Sequence, residues 1–422
     1  MQPNDPFTLA GTWRGPPPRY STYRDVMTTS QAGFDALARL DLLGLDDALS
    51  GEDRLLRDTV RRFAAEQLRP NIARWFEDGT LPARELALEF GKLGVLGMHL
   101  DGYECPGASA TQYGLACTEI EAVDSGLRSL VSVQGSLAMY AIHAYGSEEQ
   151  KQRWLPPMSR GEAIGCFGLT EPDAGSDPGS MRSYAKRDGD DWILHGSKMW
   201  ITNGSISDVA VVWARTDDGV RGFLVERGMP GYTASDVHHK ISLRASITSE
   251  LSFDEVRLPA SAQLPEAAGL RAPLGCLTEA RYGIICGVVG AARDALASAL
   301  SYSTSRVQFG KPISGFQLTQ RKLAELAVSV SNMQLVARRL GELKDAGTIK
   351  PYQISYGKFA NVQAALEVCR EARSILGGSG ITTEYSPLRH AVNLETVYTY
   401  EGTHEVHTLV LGEQLTGTSA YR

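Results

Sequence analysis

The feature that most constrains this chain is a change in the spacing of its apolar residues, from helical to alternating and back. Residues 53–68 place Leu55, Leu56, Val60, Phe63 and Ala64 on one helical face, 111–123 behave alike, and 137–145 are largely apolar. Beyond residue 160 the pattern becomes short runs of β-branched and aromatic residues, at 163–169, 192–195, 209–214, 222–226 and 251–253. Asp188-Gly189-Asp190, Asp217-Asp218-Gly219 and Met229-Pro230-Gly231 break these runs, which predicts a small antiparallel β-barrel or sandwich. From about Pro273 long helical patterns return, most clearly over 316–343 and 353–376, where Gly377-Gly378 stops the second.

The reading is a multidomain α and β fold. An irregular N-terminal extension (1–47, with Gly15-Pro16-Pro17-Pro18) precedes an N-terminal helical domain (48–160), a middle β domain (161–270) and a C-terminal helical bundle (271–422). A net charge of −7 argues against a dedicated nucleic-acid binder. The first residues show neither a basic-then-apolar signal nor an Arg-rich transit pattern, so a cytoplasmic protein is expected. No apolar run approaches the ~20 residues of a membrane span; the stretch 283–292 is short and Arg293 and Asp294 follow it. Six cysteines without a C-x-x-C pair read as reduced core thiols.

Five segments could carry chemistry, each with a plainer alternative. The run from Cys166 to Asp177 leads from a strand into a loop of small hydroxyl and glycine residues, a polar turn or the cradle of a heteroaromatic ring. Lys198-Met199-Trp200-Ile201-Thr202-Asn203-Gly204 is either a hairpin with a core Trp or a stacking platform with Thr202 as donor. Arg306-Val307-Gln308-Phe309-Gly310-Lys311-Pro312, with Gln317 downstream, is no Walker loop, because Pro312 stands where a hydroxyl must be; Arg306 could still pair with a phosphate. Leu376-Gly377-Gly378-Ser379-Gly380 follows a helix and is a helix stop or a close approach to a ligand. The fifth segment runs from Thr399 to His407. His404-Glu405-Val406-His407 is one residue short of the zinc motif, and Glu401-x-x-His404 lacks the second copy a di-iron site needs, so no metal is expected. Glu401 is then a partly desolvated base or a solvated residue at a helix start.

In this order and architecture, the five segments resemble the acyl-CoA dehydrogenase family over nearly the whole chain, from about Tyr20. The stretch from Glu121 to Ser129, Arg244-Ala245-Ser246, the run from Gly275 to Gly283, the run from Arg389 to Glu395 and Tyr398-Thr399-Tyr400-Glu401-Gly402-Thr403-His404 resemble its glutaryl-CoA branch. The resemblance implies an FAD enzyme, usually a homotetramer, that passes electrons to an electron-transferring flavoprotein. It implies that Phe167, Leu169, Thr170, Gly175, Ser176, Trp200, Ile201 and Thr202 line the flavin. Arg306, Phe309 and Gln317 would meet the phosphate and adenine side, Ser374, Leu376, Gly377 and Gly378 would do so from a neighbouring subunit, and Thr403 and Glu405 would touch the cofactor.

For the CoA substrate the resemblance implies Ser176, Leu274 to Arg281, Gly402 and Tyr421. Glu401 would remove the α-proton while the β-hydrogen leaves as hydride, with the Glu401 N–H and an FAD ribityl hydroxyl on the thioester oxygen. Arg128 would pair with the far carboxylate of glutaryl-CoA, with Ser129 as a further donor and Glu121 holding it in place, while Tyr400 and Thr202 would orient the site. Protonated Glu401 would then quench the dienolate left by loss of CO₂, giving crotonyl-CoA. A dehydrogenase of another acyl- or dicarboxylyl-CoA, or one that does not decarboxylate, is the alternative. For Arg128 alone, a surface ion pair within one helix, two turns from Glu121, is the plainer reading.

Overall fold

The computed structural model describes residues 39–421; most of the expected extension over 1–47 lies outside the described residues. The N-terminal helical part comprises α1 (Gly51–Phe63), α2 (Arg69–Asp78), α3 (Ala83–Lys92), α4 (Ala110–Glu121), α5 (Ser125–Ser132), α6 (Tyr140–Tyr145) and α7 (Glu148–Ser159). Caps set the starts: Ser50 accepts from Asp53 N, Ser109 and Ser147 form capping boxes with Gln112 and Gln150, and Asp124 accepts from Gly126 N. Val60 and Ala64 are buried as expected, and so is Leu68, but Leu55 is 69% exposed. It lies about 140° around the helix from Val60, off the buried face. π-helical turns at Ala64–Leu68 and Val133–Met139 join α1 to α2 and α5 to α6.

The middle part is one seven-stranded sheet. Its strands are β1 (Gly165–Gly168), β2 (Tyr184–Asp188), β3 (Asp191–Thr202), β4 (Val209–Thr216), β5 (Gly219–Glu226), β6 (Tyr232–Asp236) and β7 (Thr248–Leu258). The order is β1-β4-β2-β3-β7-β6, with β5 on the other side of β4. Pairing is antiparallel except that β4 runs parallel to β1 (Gly165 opposite Val209) and to the start of β2. β3 slips register against β7 between Lys198 and Ile201, a bulge that turns Trp200 outward.

The C-terminal part holds α8 (Arg271–Ser305), α9 (Gln317–Asp345), α10 (Pro351–Ile375), α11 (Ser386–Thr399) and α12 (His404–Thr416). The central α8 packs against α4, α9, α10 and α11. Contrary to the sequence expectation, it is long and apolar enough to cross a membrane. Its apolar window is 94% buried within the protein, as befits a core helix whose small residues let neighbours approach. Buried ion pairs bind the two helical parts together. Glu119 on α4 accepts bidentate bonds from Arg293 on α8 and from Arg61 on α1, at 2.7–2.9 Å. Asp124 accepts from Arg389 and Asn393 of α11 at 3.1 and 2.8 Å.

Candidate active site

The site is built where α11 gives way to α12. Tyr400 leaves α11 in an extended conformation, Glu401 and Gly402 follow at φ 52° and 91°, and Thr403 caps α12 by accepting from Val406 N at 3.2 Å. A left-handed glutamate costs of order 1–3 kcal/mol and persists only where its surroundings hold it. Three successive carbonyls are held. Lys358 Nζ donates to those of Tyr400 and Gly402 (2.6 Å to the latter), and Arg281 Nε donates to that of Glu401 at 2.6 Å. A Cβ on residue 402 would stand 2.9 Å from His407 Nε2 and 3.2 Å from Arg281 Nη2, so only glycine follows the base.

Glu401 Oε2 is buried and has no hydrogen-bond partner among the described residues. Burial raises the Glu401 carboxyl above the ordinary range, against the pull of Arg128, Lys358 and Arg281. An uncommitted carboxylate oxygen in a desolvated place has the chemistry of a proton acceptor. The solvated helix-start alternative does not hold.

Arg128 and Glu121 are both 0% exposed, and they sit on successive helices, α5 and α4, so the surface-pair alternative fails as well. Arg128 Nε donates to Glu121 Oε2 at 2.7 Å, and Ser125 donates to Glu121 Oε1 at 2.7 Å. Arg128 Nη2 donates to the Tyr400 hydroxyl, which lies 3.4 Å from the Ser129 hydroxyl. Burial works against the Arg128 charge, but Glu121 and Tyr400 together outweigh it and hold the guanidinium protonated. Burial also pushes the Tyr400 hydroxyl up to about 12, so it stays neutral. The Tyr400 ring lies between two cations, 5.9 Å from the Arg128 guanidinium carbon and 5.8 Å from Lys358 Nζ.

The segments expected to line the flavin meet where the loop after the edge strand β1 packs on the end of the interior strand β3. Phe167 (on β1), Leu169 and Ile201 are buried, Thr170 and Thr202 are half-buried, and Gly175 and Ser176 are exposed. Trp200, at φ 65°, is 57% exposed, so it is not the core residue of the plainer reading. Beneath this loop Lys198, 0% exposed, donates to Leu169 O at 3.1 Å and to Glu171 at 2.7 Å; Glu171 also accepts from the backbone of Arg182 and Ser183. Met199 N bonds Thr170 O at 2.9 Å, which ties the first two sequence segments together.

A second group gathers at the far end of the C-terminal helices. Lys322, just past Gln317 on α9, reaches Ser374, and Tyr302, one turn before Arg306, approaches Ser379. Arg306 is half-buried; Gln317, Gly377 and Gly378 are exposed, and Phe309 is 95% exposed. Leu376 has its side chain in the core, which leaves only its backbone for a ligand. This end is far from Glu401. Lys358 and Ser374 are about 24 Å apart along α10, and Arg281 and Arg306 about 37 Å apart along α8.

Around Glu401 lie the remaining expected residues. Leu274 is 40% exposed near the start of α8, and Glu405 is exposed in the first turn of α12. Tyr421 is 47% exposed and donates to Val406 O at 3.0 Å. His404 stacks between Phe359 and Tyr398 at 4.1 and 4.4 Å, and no metal-holding group of His, Cys, Asp or Glu occurs among the described residues. The sequence reading missed Lys358. Its signal is a lone lysine on the buried stripe Ile354, Lys358, Asn361, Val362, Ala365.

Three family models match in the order of the architecture: acyl-CoA dehydrogenase N-terminal domain over residues 50–162, middle domain over 166–256 and C-terminal domain over 267–416. The chain belongs to the acyl-CoA dehydrogenase family. It is similar to human mitochondrial short-chain specific acyl-CoA dehydrogenase, with 35% identity over 86% of this chain and 89% of that protein. Among solved structures, a glutaryl-CoA dehydrogenase from Mycobacterium smegmatis in complex with FADH2 is 60% identical, with a TM-score of 0.90 over 91% of this chain and 100% of that one. A glutaryl-CoA dehydrogenase in complex with glutaryl-CoA is 33% identical, with a TM-score of 0.84 over 89% and 98%.

Proposed function

We propose that this acyl-CoA dehydrogenase uses FAD to oxidise glutaryl-CoA and decarboxylates the product to crotonyl-CoA and CO₂. The observation that carries the reading is the buried Glu121–Arg128–Tyr400 chain beside the unpartnered oxygen of Glu401. It sets a carboxylate-binding end next to a base. The exposed Trp200 and the open loop at Gly175 and Ser176, where a Cβ on Gly175 would meet nothing within 4 Å, fit a flat cofactor where that loop meets β3.

Bound FAD supplies the hydride acceptor. A free Oε of Glu401 takes the α-proton of the thioester, and burial keeps this carboxyl poised nearer neutral pH than a solvated one. The Glu401 N–H serves the thioester oxygen, where enolate charge develops. At the other end, the far carboxylate pairs with the Arg128 guanidinium, with Ser129 as a further donor. Loss of CO₂ leaves its electron pair delocalised toward the thioester, and Glu401 returns its proton to the γ-carbon.

We infer a shared cofactor site. Arg306, Phe309, Gln317 and the segment 374–378 lie too far along their helices to reach a flavin beside their own Glu401, so they serve that of a neighbouring subunit, as in a homotetramer. Electrons pass to an electron-transferring flavoprotein, the acceptor the resemblance implies. Six free cysteines fit a reducing, cytoplasm-like compartment. The test is anaerobic titration of the yellow protein with glutaryl-CoA. Flavin bleaching with crotonyl-CoA and CO₂ as products supports the reading; glutaconyl-CoA without CO₂ refutes decarboxylation, and no bleaching refutes the substrate.

A further inference from the structure

Lys358 is 2% exposed, and the acceptors of its ammonium are two backbone carbonyls, those of Tyr400 and Gly402. Burying an ammonium is costly, and a bond to one carbonyl does little to offset it. The pair of carbonyls chosen here brackets the base, and the residue between them is the left-handed Glu401.

We propose that Lys358 is a positioning residue for the reaction: it fixes at once where the Glu401 carboxylate stands and which way the Glu401 N–H points. The inference rests on Glu401 as the base. In a trans peptide the carbonyl of one residue and the N–H of the next point to opposite sides. A lysine that draws the Tyr400 carbonyl toward itself therefore aims the Glu401 N–H away, toward the side left for the thioester oxygen. The second bond, to Gly402 O, holds the far side of Glu401, and the Arg281 bond to Glu401 O completes the grip. Lys358 also places a positive charge near the carboxylate whose proton affinity sets the working pH.

The charged and titratable groups around Lys358 are Glu401 and Tyr400 on the loop, Arg281 on α8, Arg128 on α5, and His404 and His407 on α12. Burial, with Lys358 and Arg281 nearby, pulls His407 down to about 3, and Tyr400 is pushed up to about 12, so neither changes charge in the working range. Burial also lowers His404.

The experiment compares Lys358→Met and Lys358→Gln with the parent holoenzyme, measuring anaerobic flavin reduction against pH by stopped flow. Methionine removes both donors and the charge; glutamine keeps a short donor without the charge. The expected result is that the Met variant binds FAD but reduces it about 100-fold more slowly, the cost of a misplaced reacting group. Its acidic limb should move to higher pH, because Glu401 loses a stabilising cation. The Gln variant should regain part of the rate and keep the shifted limb. Parental rates, unmoved limbs in both variants, or loss of bound FAD in both would each overturn the proposal. Glu401→Gln, run alongside, separates the two readings: if it still reduces the flavin, the base assignment fails instead.

Discussion

Gly287→Ala tests the carboxylate-binding end without touching a residue that meets substrate. Gly287 lies on α8 facing Glu121, and a Cβ there would stand 2.0 Å from Glu121 Oε2, 3.0 Å from its Cδ and 3.3 Å from Arg128 Nε. Ordinary carbon contacts need about 3.5–4.0 Å, so the carboxylate must retreat by about 1.5 Å. The 2.7 Å bond from Arg128 Nε does not survive that move. A hydrogen bond to a charged group contributes about 1.5–3 kcal/mol, and each 1.4 kcal/mol is about tenfold. The expected loss in kcat/KM for glutaryl-CoA is therefore roughly 10- to 100-fold. Butyryl-CoA has no far carboxylate and should lose much less, while overpacking costs about 1–3 kcal/mol of stability in either assay. The measurement is the ratio of kcat/KM values for the two substrates on the folded holoenzyme. An unchanged ratio would refute the claim that Glu121 orients Arg128 for a substrate carboxylate.

Glu401→Gln should retain FAD yet lose about 10²–10⁴-fold in flavin reduction, read by anaerobic stopped flow. In the parent, reduction should rise with pH through a value above that of an ordinary carboxyl, since burial raises Glu401 and only its ionised form accepts the proton; a limb at or below the ordinary carboxyl value would contradict this. Trp200→Ala should weaken FAD retention during gel filtration by removing an exposed ring, and full retention would count against its stacking role. Glu119→Gln should destabilise the fold by about 3–5 kcal/mol at neutral pH, measured by denaturant unfolding, because it leaves the buried Arg293 without its carboxylate and weakens the bonds from Arg61. Burial alone would raise Glu119, but Arg293 and Arg61 hold it below the ordinary range. The parent's extra stability is thus present above the unfolded carboxyl value, about 4.3, and is lost as pH falls through the depressed folded value. The variant should lack that part of the acid dependence.

The architecture was legible because the period of apolar spacing changes twice, and the strands found at 165–168, 191–202, 209–216 and 248–258 each contain or overlap a run picked out by composition. Glu401 was singled out by the resemblance, once spacing had removed the metal readings; the local jobs of Gly402 and Thr403, a left-handed turn and a helix cap, emerge only in the structure. Arg128 was harder. The break at 122–124 puts Glu121 and Arg128 on separate helices, so their pairing is tertiary. Lys358 was not legible as a site residue. Its stripe could be read, but its acceptors lie more than forty positions away on a loop, and no local pattern encodes that meeting. The same holds for Gly287, whose meaning depends on where Glu121 stands.

The charges around Glu401 bear on why the proposed dicarboxylyl thioester would suit this site. Arg128, Lys358 and Arg281 bring three cations to the neighbourhood of two carboxylates, Glu121 and Glu401, and Lys358 and Arg281 are satisfied by carbonyls rather than acids. With Glu401 ionised, one positive charge is left over inside a desolvated region. Burial resists it by lowering Lys358, against the pull of Glu401; burial also raises the carboxyl of Glu401, which would enlarge the excess, so the site lacks a negative charge in either state. A ligand that carries one extra carboxylate to Arg128 balances that charge, and it does so while Glu401 is ionised and able to take a proton. A simple acyl thioester leaves the excess in place. Electrostatic complementarity of this kind selects by what the wrong substrate fails to neutralise, as well as by the contacts the right one makes. In the proposed reaction, loss of neutral CO₂ leaves the balancing charge on the dienolate, and the Glu401 proton discharges it at the γ-carbon, so the negative charge returns to Glu401 and the site is reset for the next substrate.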